Sequence, residues 1–143
     1  MRLLSPALCL SIPLTLSCRD VRDLYTLGTA LNEQYADSRV SVSLTDRLIL
    51  TITVTDSGFA VASCERQAAV ATQIATFVRG RYGGFDSLQV ISIAFTPLGS
   101  QAGTTARPAG LPFRFAPTLV SAGLTPADST RAVESCKAWR ELQ

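Results

Sequence analysis

The chain has 143 residues, 47% of them apolar and 17% charged, with a formal net charge of +2. That length suits one domain with a real core and is short for two. The composition excludes wholesale disorder, and the small charge excludes a broad electrostatic footprint for nucleic acid.

Residues 1–17 carry Arg2 as their only charge, then Leu3, Leu4, Ala7, Leu8, Leu10, Ile12, Leu14 and Leu16. One positive charge followed by an apolar middle and small residues is the pattern of a secretory signal. Pro6 and Pro13 oppose a spanning helix, and the stretch is short for a hydrocarbon core of about 30 Å. The alternative is a retained amino-terminal core segment, which would make the chain a cytoplasmic structural or regulatory domain. Thr15-Leu16-Ser17-Cys18 resembles the lipobox of bacterial lipoproteins, with Thr15 where that pattern prefers leucine. The resemblance implies a lipid on Cys18 and a chain tethered to the membrane by its amino end, and simple cleavage nearby is the other outcome. With Cys9 inside the signal and Cys18 lipidated, Cys64 and Cys136 remain to pair in an oxidising compartment. Two buried, reduced thiols are the alternative. The cysteines lack the close spacing of a metal site, and no cofactor is expected.

Beyond the amino-terminal segment, a first helix is predicted over 20–35 from the spacing of Val21, Leu24, Gly28, Leu31 and Tyr35. Val40, Val42 and Leu44 then alternate with Ser41, Ser43 and Thr45, and Leu48, Leu50, Ile52 and Val54 alternate with Ile49, Thr51, Thr53 and Thr55. Period two predicts a hairpin with one apolar and one hydroxyl-rich face, turning at Thr45, Asp46 and Arg47. Val61, Cys64, Ala68, Ala71, Ala75, Val78 and Tyr82 recur in steps of three and four, so a second helix is expected to lie across the apolar face. Arg79 and Arg81 suit its last turn, and Gly83-Gly84 is expected to supply a positive-φ cap. The run from Arg79 to Phe85 also resembles arginine-glycine-aromatic RNA-binding composition, but it is single, unrepeated and placed where a helix must stop.

A third strand is predicted over 88–95, apolar at both parities and therefore covered on both faces. A right-handed crossover through the second helix makes it parallel to the second strand. Residues 97–112, rich in Gly, Pro, Ala, Ser and Thr, read as a long loop. Phe113-Arg114-Phe115 reads as a short edge strand bounded by Pro112 and Pro117. Thr125-Pro126-Ala127-Asp128 is a helix start, and Val133, Cys136, Trp139 and Leu142 mark the inward side of the helix it opens.

The absence of histidine removes the usual general base, the usual metal ligand and any Ser-His-Asp or Cys-His arrangement. Glu65 with Arg66, and Asp86 near Arg79 and Arg81, are the remaining candidates for an acid-arginine or anion site, a solvated helix end being the simpler account. Asp46 and Asp56 read as turn residues rather than paired catalytic carboxylates. The expected fold is therefore α+β: a two-layer sandwich of α-β-β-α-β-(β)-α order, with a mixed sheet of three or four strands and helices mainly on one face. Residues 18–143 form its single domain. The expected function is an exported, lipid-tethered binding or scaffolding domain of the cell envelope, its partner a protein or envelope component. A histidine-independent enzyme with an Asp/Arg site near Asp86 is the alternative.

Overall fold

A computed structural model of the protein describes residues 18–55, 57–97 and 112–142. The signal and lipobox residues up to Ser17, Cys9 and Asp56 lie outside these residues, as does most of the loop expected over 97–112. The described chain forms α1 (Cys18–Gln34), β1 (Arg39–Thr45), β2 (Ile49–Thr55), α2 (Ser57–Ala60), α3 (Cys64–Arg81), a 3-10 turn (Phe85–Ser87), β3 (Val90–Thr96), β4 (Phe113–Phe115), α4 (Pro117–Ala122) and α5 (Pro126–Glu141). The strands lie side by side in the order β1-β2-β3-β4. The β1–β2 and β3–β4 pairs are antiparallel, and β2–β3 is parallel, as the crossover through α3 requires. This is the expected mixed α+β sheet, with all four strands formed.

The register puts the apolar parity of every strand on one face. Val40, Val42 and Leu44 stand opposite Val54, Ile52 and Leu50, which in turn neighbour Phe95, Ile93 and Ile91, and the last two face Phe113 and Phe115. Leu50, Ile52, Val54, Ile91 and Ile93 have no exposed surface. Each such side chain contributes about 1.5–3 kcal/mol of burial energy, so a one-residue slip in any pairing would turn this set outward and is strongly disfavoured. The opposite face carries Ser41, Ser43, Thr51, Thr53, Thr55, Ser92 and Thr96, and Thr55 Oγ1 and Thr96 Oγ1 share a hydrogen bond of 3.0 Å. Ser92 and Ala94 are buried on that side, so β3 is covered at both parities.

α3 lies across the apolar face with Cys64, Ala68, Ala71, Ala75 and Val78 inward, as the spacing predicts, but Gln67, Val70 and Ile74 are buried as well. It is covered by the sheet on one side and by α4 and α5 on the other, and for that reason its inward surface is wider than a single stripe. Val61, counted as the first of the inward positions, instead precedes the helix and is 79% exposed. In α1 the buried positions are Leu27 and Leu31, with Leu24 and Tyr35 packed beside them, while Val21 is exposed. The stripe is rotated toward Leu27 because α1 rests along β1 at the margin of the sheet.

The end of α3 also differs from expectation. Neither Gly83 nor Gly84 takes positive φ; Tyr82 leaves the helix in an extended conformation and its N–H bonds to the Val78 carbonyl. The glycines are there for space: a Cβ on Gly84 would come within 2.9 Å of the Tyr82 ring, and one on Gly83 within 3.0 Å of an Asp23 carboxylate oxygen. Among the described glycines only Gly123 has positive φ, at 88°, where it ends α4. In the β1–β2 turn Asp46 and Arg47 carry φ of 52° and 61° without a glycine, and the Arg47 guanidinium reaches Asp20 at 3.5 Å.

Candidate functional site

An apolar concavity lies where the sheet ends at β4. It is a cleft of about 420 Å³ between β4, α4 and α5. Phe113 and Phe115 turn their rings to the core, and Phe113 closes a row of aromatic contacts through Phe95 and Phe59 to Tyr35, with centroids 5.8–6.3 Å apart. That row fixes the floor. Pro117, which the sequence reading treats as the limit of the edge strand, is the first residue of α4, whose start Pro favours because the N–H it lacks would have no helical partner. The short helix ends at Gly123 and places Leu119 and Leu124 on the cleft wall.

The far wall is α5. Thr125 and Asp128 form a reciprocal capping box: the Asp128 N–H donates to Thr125 Oγ1, and the Thr125 N–H and hydroxyl donate to Asp128 Oδ2 at 2.9 and 2.7 Å. These bonds from Thr125 hold the Asp128 carboxyl below the ordinary carboxylate value. Its charge is thereby committed to the helix start and, at 3.7 Å, to Arg131. Cys136 is the one buried residue of α5, and its Sγ lies at bonding distance, 2.08 Å, from that of Cys64 at the start of α3. Lys137, next to Cys136, pairs with Glu65, next to Cys64, and their hydrogen bond lowers the Glu65 pKa. Arg140 donates to the Ala62 carbonyl. The cleft is thus apolar inside, with Phe113, Phe115, Leu119, Leu124 and Ala132, and polar at the rim, with Arg114, Asp128, Arg131 and Ser135. Such a surface is suited to holding an apolar group under a charged rim and offers no acid-base pair.

The expected site residues are distributed otherwise. Cys18 is the exposed first residue of α1 and is unpaired. Glu65 meets Lys137 rather than Arg66, whose guanidinium lies over the Phe59 ring at 5.9 Å. Arg81 lies over the Phe77 ring at 5.1 Å. Among the described residues no ion pair joins Asp86 to Arg79 or Arg81. Asp46 is a turn residue. Sequence reasoning missed Gln67, which is buried and whose Nε2 donates to the Phe59 and Ala60 carbonyls at 2.7 and 3.3 Å. It also missed α4 and with it the cleft. The available signal was the pair Pro117 and Gly123, a helix start and stop six residues apart.

Among the described residues no group of three or more His, Cys, Asp or Glu side chains is placed to hold a metal ion, and no helix is long and apolar enough to cross a membrane. Compared with protein-family models, with curated proteins and with solved structures, the chain gives no significant match.

Proposed function

We propose that the protein is an exported binding or scaffolding domain of the cell envelope, tethered through a lipid on Cys18 and binding through the cleft between β4 and α5. The observation that carries the reading is the Cys64–Cys136 pair at bonding distance, 72 residues apart in sequence. Such a bridge persists in oxidising compartments and is rare in reducing ones. The apolar cleft with its charged rim supports binding rather than chemistry. The exposed position of Cys18 at the start of α1 leaves it accessible for acylation.

Intact-mass and thiol analysis of the protein purified from its native host tests this reading. The expected product begins at Cys18, carries added acyl mass and has no free thiol on Cys64 or Cys136. A chain that retains Met1, or one with both thiols free, overturns it.

A further inference from the structure

We infer that the outer edge of β1 takes an extended polypeptide as a fifth strand, with one large apolar side chain of that segment entering the groove beside α1. The inference concerns a site separate from the cleft and does not depend on export.

The backbone parity defines what the edge offers. The Val90 N–H bonds to the Leu48 carbonyl, so in the parallel pair the backbone groups of Leu50, Ile52 and Val54 face β3. Those of Ile49, Thr51, Thr53 and Thr55 therefore face β1, and on β1 the residues pointing away from the sheet are Val40, Val42 and Leu44. At Val40 the edge is already paired by a side chain: its N–H donates to Asn32 Oδ1 and its carbonyl accepts from Asn32 Nδ2, both at 2.9 Å. The Asn32 carboxamide supplies one donor and one acceptor, as a peptide unit of a neighbouring strand would. At Val42 and Leu44 the same outward groups have no partner among the described residues. Donors and acceptors repeating every second residue are complementary to an extended chain, which presents the same repeat.

The groove accounts for the side chain. Val42 faces Leu24, Tyr25, Gly28 and Thr29 across an open channel. Gly28 keeps the channel floor clear, since a Cβ there would meet Val42 Cγ2 at 3.8 Å, an ordinary van der Waals contact that would bridge helix and strand. Tyr25 is 76% exposed on the rim and adds apolar area to the channel mouth. At the Asn32 end, Glu33 lines the channel and pairs with no cation among the described residues, which favours a basic residue in the incoming segment. Asn32 occupies the position beyond Val42 and sets where the added strand must end or turn.

The test uses the full chain and a displayed library of random peptides of about eight residues. Enriched sequences should alternate apolar and polar residues and include a lysine or arginine. In amide exchange read by NMR, Val42 and Leu44 should exchange quickly in the free protein while Ser41 and Ser43 are protected. A bound synthetic peptide should slow the first pair at least about tenfold, and N-methylation of the peptide's bonding amide should weaken binding by a similar factor. Gly28→Leu should fill the groove and weaken binding at least about tenfold without lowering the melting temperature, because leucine is the better helix former. Should that variant prove unstable, the surface change Glu33→Lys gives a second arm, with an expected loss of roughly threefold. No enrichment, a footprint on the cleft between β4 and α5, indifference to N-methylation, or protection of Val42 and Leu44 by self-association in the absence of peptide would each overturn the inference.

Discussion

Replacing both Cys64 and Cys136 with alanine removes the one covalent link between α3 and α5, and its effect can be worked out from the fold. The bridge closes a loop of 72 residues; in the chain-entropy treatment a link across a loop of that size contributes about 4 kcal/mol at 25 °C. For a chain of 143 residues about 3 °C of melting temperature corresponds to 1 kcal/mol, so the midpoint should fall by roughly 10–15 °C. The loss should not be spread evenly. Cys136 is the one buried residue of α5, with Ala132 and Val133 half-buried against the core, and its polar ties on that side are the exposed Glu65–Lys137 pair and the Arg140 bond to the Ala62 carbonyl just before α3. Screened surface pairs of this kind hold a helix weakly. Without the bridge, amides of Pro126–Glu141 should therefore exchange by local opening well below the transition, while those of β3 stay protected until the whole domain unfolds. Thermal melts and hydrogen exchange on the oxidised protein, the phosphine-reduced protein and the double alanine variant measure both parts. A midpoint shift under about 2 °C would refute the loop argument, and unchanged protection in α5 would refute the claim that the bridge is its principal anchor.

Four further outcomes follow from single contacts. Asn32→Ala should cost roughly 1–2 kcal/mol in urea unfolding by removing both bonds to Val40, and Asn32→Asp should cost more, since a carboxylate would then face the Val40 carbonyl. Arg47→Gly creates an Asp-Gly turn where φ is 61° and should stabilise the hairpin by roughly 0.5–1 kcal/mol even after loss of the Asp20 pair; a lower denaturation midpoint would contradict this. Gln67→Met preserves volume but removes the Nε2 donor from the Ala60 carbonyl and one of the donors from the Phe59 carbonyl, which keeps the Ala62 N–H, and this should cost about 1–3 kcal/mol in the same assay. Because the Asp128 carboxyl is held below its ordinary value of 3.8 by Thr125, its contribution to α5 is present above that pH and is lost as pH falls through the lowered folded value. Helix exchange rates compared between wild type and Asp128→Asn should differ at neutral pH and converge in acid.

Local pattern was enough for much of the architecture. Period-two alternation in 39–55 determined which side chains of β1 and β2 share a face, and the α3 crossover required β3 to be parallel to β2, because both follow from backbone geometry that neighbouring residues set. The Thr125 cap was legible for the same reason, since donor and acceptor lie three residues apart. Cysteine counting named Cys64 and Cys136 but left their distance open; that depended on α5 folding back along α3. Gln67 is polar in composition and buried in fact, because the carbonyls it serves are brought to it by α2 rather than by its own helix. Val21 and Leu27 exchanged expected roles because the angle at which a helix meets a sheet margin is decided by packing, not by spacing. The cleft and the open edge of β1 are of this second kind: each is a space between elements distant in sequence, and periodicity reports which residues turn inward without reporting where two inward surfaces fail to meet.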